Sequence, residues 1–196
     1  MKTLHDIRMA VAHPPARLPP GRRQAAVAAI LTADLDLLLM RRAEHPGDPW
    51  SGHVSFPGGR IEDHDHDSVA GAIRETSEEI GVDLGRAQLL GPLDELTTVG
   101  VPSGLVIRPF VFAIDERPAL TPNREVASVH WIGLGDLLSG RGRGPFEYDH
   151  RGTLHTLPRV DFQGLRLWGL TLRMVDDLLH RLDGQGVGLD RVTPPE

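Results

Sequence analysis

"GGRIEDHDHDSVAGAIRETSEEIGV", residues 58–82, opens on a glycine pair and then carries an unusual density of negative charge. Between residues 60 and 80 stand seven acids, Glu62, Asp63, Asp65, Asp67, Glu75, Glu78 and Glu79, against two bases, Arg60 and Arg74. The segment has a net charge of −5 in a chain of 196 residues whose formal net charge is −6. Such crowding needs a local cause.

The second half of the segment reads as a helix. Ser68 can cap a body over residues 69–80, and Gly81 can close it in the left-handed conformation. Positions i, i+3 and i+4 share one helix face, which brings Glu75, Glu78 and Glu79 together. Like charges at that spacing cost an isolated helix roughly a few tenths of a kcal/mol per pair. A bound cation reverses the sign, and hard divalent ions such as Mg²⁺ take oxygen ligands. Taken alone, the three glutamates read as a solvated acidic face. Their neighbours change that reading. Arg74 lies one turn before Glu78 and can hold its carboxylate. The Pro57-Gly58-Gly59 turn lets the backbone come close to an ion or phosphate, because glycine has no Cβ. Glu62 to Asp67 add carboxylates on the connector. The set describes a metal cage with room for a diphosphate.

The bulk composition narrows the classes around this cage. A chain of this length can bury a substantial core within one domain. The apolar fraction of 40% and charged fraction of 24% are those of a globular protein. Modest acidity argues against a broad basic face for nucleic acid. With no cysteine there is no disulfide framework, thiolate zinc site or cysteine nucleophile. No apolar run is long enough to cross a bilayer, and "MKTLHDIRMAVAHPP" is no convincing signal peptide, so a cytoplasmic location is expected.

Outward from the helix, "AAVAAILTADLDLLLMRRA" predicts a β-hairpin around an Asp-Leu-Asp turn. Strands are expected near 87–96, 105–114 and 126–132, with a short helix at "LGDLL" and a polar turn at "RGRGPFEYDHRG". Trp168, Leu172, Val175, Leu179 and Leu182 step by four and three along a final helix, a stripe that reads as core. Residues 1–24 read as an extended or loosely docked arm, 25–183 as the folded domain and 184–196 as a frayed tail. Mixed strands with central and terminal helices make the class α/β or α+β, a mixed sheet between helices.

The quoted residues resemble the signature of the Nudix hydrolases: Gly, five residues, Glu, seven residues, then Arg-Glu-aliphatic-any-Glu-Glu-any-Gly-aliphatic. Arg74-Glu75-Thr76-Ser77-Glu78-Glu79-Ile80-Gly81-Val82 matches the second half, with Thr76 in an aliphatic place. After Gly59 and five intervening residues comes Asp65 rather than Glu, and eight residues separate it from Arg74. Both departures are similar to the coenzyme A pyrophosphatase branch. That branch's upstream signature is kept at Leu38, Leu39, Arg42, Gly52 and Phe56-Pro57-Gly58-Gly59. Met40, Ala43 and Asp48 replace its Thr, Ser and second Arg, with one extra loop residue.

The resemblance, over about residues 25–183, implies a Nudix fold and hydrolysis of X–O–P–O–P–Y to two monophosphates with Mg²⁺ or Mn²⁺ as cofactor. It implies Glu78 and Glu79 as main metal ligands, Glu75 as a third ligand or the base, and the Gly58 or Gly59 carbonyl as a further ligand. Asp65 takes the place of the signature's first Glu, and Arg74 orients Glu78. Glu125 stands where the family often carries a ligand or general base; it reads equally as a strand-edge charge. Arg41 and Arg42 are candidates for substrate phosphates, with Arg108 and Arg124 behind them, and Trp50 for stacking on a base or anchoring its loop. His64 and His66 read as solvated loop residues.

The expected partner is a small-molecule nucleoside diphosphate derivative, with coenzyme A or a relative first, no nucleic acid and no membrane; a homodimer is compatible with the sequence, which does not set the oligomeric state. Two alternatives stand beside it. One is the same chemistry on ADP-ribose, another sugar nucleotide, a dinucleotide or an oxidised dNTP. The other is a catalytically silent nucleotide-binding module, against which the intact Glu75, Glu78 and Glu79 argue.

Overall fold

The computed structural model describes residues 2–18, 23–98, 104–150 and 152–183. Among these, the hairpin expected near the start of the domain is present. β1 (Arg23–Thr32) and β2 (Asp36–Arg42) are antiparallel, turned through Leu35, which has a positive φ of 62°. The short strands β3 (Val54–Ser55) and β4 (Gly58–Arg60) pair with β2 and β1 respectively. Residues 57–59 are therefore not a free turn: Gly58 and Gly59 are ladder residues, opposite Val27 and Ala26.

The helix of the acidic segment, α2 (Ser68–Ile80), follows. Its N-cap is Asp67 rather than Ser68. The Asp67 carboxylate accepts the Ala70 N–H at 2.7 Å, while the Ser68 hydroxyl accepts from Arg108 Nη1 at 2.8 Å. Gly81 closes the helix in the left-handed conformation, with φ 73°.

The expected strand at 87–96 divides into β5 (Gln88–Pro92) and β6 (Leu96–Thr97), both paired with β7 (Leu105–Ile114). β7 runs parallel to β1 along its whole length, and β8 (Val126–Gly133) pairs antiparallel with β2. This makes one mixed sheet. After the short helix α3 (Leu134–Leu138) comes a second, antiparallel sheet of β9 (Arg143–His150), β10 (Thr153–Phe162) and β11 (Leu165–Trp168). The segment expected as a polar turn is thus mostly strand β9, and Trp168 ends β11 rather than starting the last helix.

Burial on β1 and β2 explains why both are almost continuously apolar. Ala28, Ile30, Leu38 and Met40 face the cluster containing Ile80 of α2. Ala29, Leu31, Leu37 and Leu39 face the opposite way, toward Leu172, Val175 and Leu178 of α4 (Gly169–Asp183). A strand covered on both faces cannot alternate apolar with polar residues. The sheet therefore lies between helices, as expected. The β2–β8 register shifts between Arg41 and Arg42, and the Arg42 charge acts on Glu79 of α2.

The first residues are not a loose arm throughout. α1 (Leu4–Val11) carries a capping box between Thr3 and Asp6, and it buries Ile7 and Val11 in the core shared with α4. The expected tail at 184–196 lies outside the described residues. Ile7 is 0% exposed, so Ile7→Ala should lower the unfolding free energy by about 2–5 kcal/mol in a denaturant titration. A change within about 0.5 kcal/mol would return α1 to the status of a loosely docked arm.

Candidate active site

Arg74 organises the carboxylates. Its Nε and Nη2 donate to the two oxygens of Asp65, each at 3.0 Å, and its Nη1 donates to Glu75 Oε1 at 3.0 Å and Glu78 Oε2 at 3.2 Å. Nη2 also donates to the Arg60 carbonyl at 3.0 Å, tying α2 to β4. One guanidinium thereby spans the connector, the helix and the strand. Bidentate pairing and a further N–H from Glu62 hold the Asp65 carboxyl down at about 2. The same hydrogen bonds, donated to Asp65, raise the Arg74 value above its usual range.

Asp65, expected among the metal ligands, is engaged by Arg74. Asp65 has a side chain only 3% exposed, and both its oxygens carry Arg74 nitrogens. It holds Arg74 in place.

Glu79 is the opposite case. Its side chain is buried, 3% exposed, and Oε2 accepts the Gly58 N–H at 2.7 Å. Burial pushes its carboxyl up to about 7, the Gly58 N–H opposes that, and the negative charges of Glu75 and Glu125 push further up. Burial also raises Glu75, against the pull of Arg74. Glu78 is exposed on the same helix.

The two glycines of β4 make this approach possible. Gly58 has φ 141°, and a Cβ there would lie 2.3 Å from the Ala26 carbonyl oxygen. At Gly59 a Cβ would lie 2.5 Å from the Glu75 carboxylate, so that carboxylate occupies the space a side chain would fill.

Among the described residues no three acidic or histidine side chains converge as a ready-made cage. The donor chemistry nonetheless fits a hard divalent ion. Glu75 and Glu79 are carboxylates drawn against glycine backbone, and Glu79 is buried with one N–H and like charges beside it. Such burial is costly without a counter-charge.

The other candidates divide. Glu125 is exposed just before β8, its carbonyl accepts the Ala43 N–H at 2.8 Å, and its charge acts on Glu79. Arg42 also acts on Glu79, from the end of β2. Its Nη2 donates to Asp48 at 2.8 Å, and its buried Nε has no hydrogen-bond partner. Asp48 in turn accepts the Trp50 N–H at 2.9 Å, which anchors the loop that carries Trp50. Arg41 turns to the far side, donating to Glu44 and to the Gly52 carbonyl.

Arg108 does not reach the site. It braces Glu95, Gln24 and Ser68. Arg124 is exposed, as are His64, which pairs with Glu62 at 3.3 Å, and His66. Sequence reasoning missed the Arg42–Asp48 pair and the role of the Arg60 carbonyl. The six-residue spacing of the first across a Pro- and Gly-containing loop gave no periodic signal.

A family model described as a NUDIX domain matches residues 22–157. An uncharacterized Nudix hydrolase of Photorhabdus laumondii, NudL, is 30% identical over 171 residues, covering 86% of this chain and 90% of that protein. NudL of Enterobacter sp. is 31% identical over 163 residues, covering 81% and 82%. Among solved structures, the MutT protein of Methanosarcina mazei Go1 superposes with a TM-score of 0.51 at 19% identity, over 86% of this chain and 97% of that one. The last likeness is one of fold. No helix among the described residues is long and apolar enough to cross a membrane.

The raised Glu79 value fixes a pH dependence. Its folded-state value of about 7 lies above the ordinary 4.5, so the folded protein holds that proton more tightly than the unfolded chain does. The associated stability is complete below the unfolded value and is lost as pH rises through the folded one. In metal-free buffer the unfolding free energy should fall across that window by on the order of 3 kcal/mol, and Glu79→Gln should flatten the slope. An identical slope in the variant would assign it to other groups.

Proposed function

Since the chain belongs to the Nudix hydrolases, which act on pyrophosphate bonds, we propose that its substrate is a nucleoside diphosphate joined to a second group, hydrolysed to two monophosphates at the Glu75–Glu79 face of α2. The observation that carries this reading is the buried Glu79 carboxylate beside Glu75, with Gly58 and Gly59 giving close backbone approach.

Glu75, Glu78 and Glu79, with the Gly59 carbonyl, would hold Mg²⁺ or Mn²⁺. When bound, such an ion neutralises diphosphate oxygens and makes water a better nucleophile. The remaining work falls to the protein. Arg74 fixes Glu75 and Glu78 through Nη1, and Asp65 fixes Arg74. A pre-set carboxylate array does not have to reorganise as charge develops on phosphorus.

Water adds across the P–O–P bridge, and its proton needs an acceptor. Glu125 fits that role. It is exposed, takes no part in an ion pair among the described residues, and lies close enough for its charge to act on Glu79. Glu75, gripped by Arg74, would serve as a metal ligand. Arg42 is suited to a phosphate oxygen, since its guanidinium carries N–H groups beyond the Nη2 contact with Asp48 and its charge acts on Glu79.

Coenzyme A is the first specific substrate to test, on the strength of Leu38, Leu39, Arg42, Gly52, the Phe56–Gly59 run and the Asp65 spacing. Asp48 shapes the expectation. It stands where the coenzyme A pattern has Arg, and its carboxylate is engaged with Arg42. An Arg–phosphate contact is worth about 1.5–3 kcal/mol, or roughly ten- to a hundredfold in affinity.

Two outcomes follow. Chelation should abolish turnover and added Mg²⁺ or Mn²⁺ restore it, while Glu79→Gln should cost kcat orders of magnitude without lowering Tm in metal-free buffer. Full activity in excess EDTA would sink the reading. The kcat/KM values for coenzyme A and its dephospho form should lack the roughly ten- to hundredfold bias that an Arg at position 48 would give. A strong preference for the 3′-phosphorylated form would show that another group grips that phosphate.

A further inference from the structure

On the face of the main sheet turned away from the α2 carboxylates, a serine meets a histidine. Ser128 and His130 of β8 lie opposite Arg41 and Leu39 of β2, and Leu39 belongs to the core shared with α4. Two residues apart on a strand, their side chains share that face. Ser128 Oγ lies 2.8 Å from His130 Nε2, and the other ring nitrogen, Nδ1, lies 3.0 Å from Gln163 Oε1. Ser128 and His130 are half-buried and Gln163 is exposed. Pyrophosphate hydrolysis at α2 uses none of the three.

The direction of each hydrogen bond follows from one end of the chain. Gln163 Nε2 donates to the Trp131 carbonyl at 2.8 Å, which turns its Oε1 toward the ring as an acceptor. The neutral imidazole then carries its proton on Nδ1 and donates it to Gln163, leaving a lone pair on Nε2. That lone pair accepts the Ser128 O–H. Hydroxyl, imidazole and orienting amide are the parts of a nucleophile activated by a base whose tautomer a third group fixes. The backbone supports this placement at a cost. Gln163, in the turn between β10 and β11, has φ 47°, a left-handed conformation that residues other than glycine seldom adopt.

The surroundings supply the remaining parts. Among the described residues β8 pairs with β2 alone, so its other edge is open. The Trp131 carbonyl taken by Gln163 points to that edge, and by the alternation of an antiparallel ladder the Val129 N–H points the same way. It is the backbone donor following Ser128, placed to meet a developing oxyanion. A cavity of about 340 Å³ begins at Arg41, the cross-strand neighbour of Ser128, and at Gly164, next to Gln163, with His53, Leu165 and Trp168 also in its lining. Arg41 is engaged by Glu44 and the Gly52 carbonyl, and the Phe162 ring stands edge-on to His130 at 6.3 Å. Carbon groups fit these walls better than charged ones.

We propose that Ser128 is a nucleophile for acyl transfer from small uncharged carboxylic esters, with His130 as its base and Gln163 as a positioning residue. This activity is separate from pyrophosphate hydrolysis. Ser128 Oγ bonds to the ester carbonyl carbon as its proton passes to His130 Nε2. The carbon–oxygen bond to the alcohol then breaks, the alcohol oxygen takes that proton, and an acyl-serine remains. Water adds to the acyl carbon, giving a proton to Nε2. The bond to Oγ breaks and the proton returns to Ser128, releasing the carboxylic acid. Ester and water are the only reactants.

The whole chain in excess EDTA is the material for the test. An alkyl fluorophosphonate, followed by intact and peptide mass spectrometry, should place one adduct on Ser128. His130→Gln should slow that labelling by about a hundredfold or more, the usual size of a general-base contribution. Gln163→Gly removes the amide while easing the backbone, so it should slow labelling without lowering Tm. Gln163→Glu keeps an acceptor for the Nδ1 proton and should restore most of the rate. Hydrolysis of p-nitrophenyl acetate should be lost in Ser128→Ala. Should His130→Gln fail to fold, the two Gln163 variants decide the matter. The proposal is overturned by native protein without a Ser128 adduct, by labelling as fast in His130→Gln or Gln163→Gly as in native protein, by a Gln163→Glu rate no higher than that of Gln163→Gly, or by ester hydrolysis unchanged in Ser128→Ala.

Discussion

The guanidinium of Arg74 is the interaction on which the site depends. Three carboxylates and a backbone carbonyl from three different segments meet on this one side chain. Without it, Glu75 and Glu78 would repel across a helix turn and the acidic connector would have no anchor on α2. Arg suits the task better than Lys, since its planar fork can bind Asp65 with two nitrogens and still donate to Glu75 and Glu78. Asp65 completes the device by being almost fully buried against it.

That arrangement leaves Glu79 as the group under tension. It receives one N–H from Gly58 and no ion pair among the described residues, while burial and like charge both disfavour its ionised form. The rest of the fold maintains this state. β4 is held on β1 by its ladder, α2 is held on the sheet by Ile80 and Ala72, and Asn123 donates its N–H to the Glu79 carbonyl at 2.8 Å. Activity of this kind requires a site that is unfavourable until its counter-charge arrives.

What could be read from the sequence follows the same physics. The α2 helix was legible because period, glycine stop and capping region agree with one another, and the cap itself missed by one residue because Asp67 and Ser68 are both good N-caps. β1, β2, β7 and β8 were legible as apolar runs. The second sheet was not. β9 and β10 alternate exposed and half-buried residues, carry Pro145 and Pro158, and pair only with each other and β11, so neither hydrophobic run nor turn pattern announces them. α1 hid behind the proline-rich segment that follows it, though Thr3-x-x-Asp6 was a capping signal in plain view. Asp48 reads in one dimension as a lost cation; in three it is the partner of Arg42.

The central claim is that the crowded carboxylates exist to hold a divalent cation, and metal binding without substrate tests it most directly. Mn²⁺ titrated into the metal-free protein, with free ion followed by electron paramagnetic resonance, gives the affinity and its dependence on single side chains. The account predicts saturable binding in the native protein and a loss of at least about tenfold in Glu79→Gln at unchanged circular dichroism. Indistinguishable Mn²⁺ binding by the native protein and the variant would contradict it.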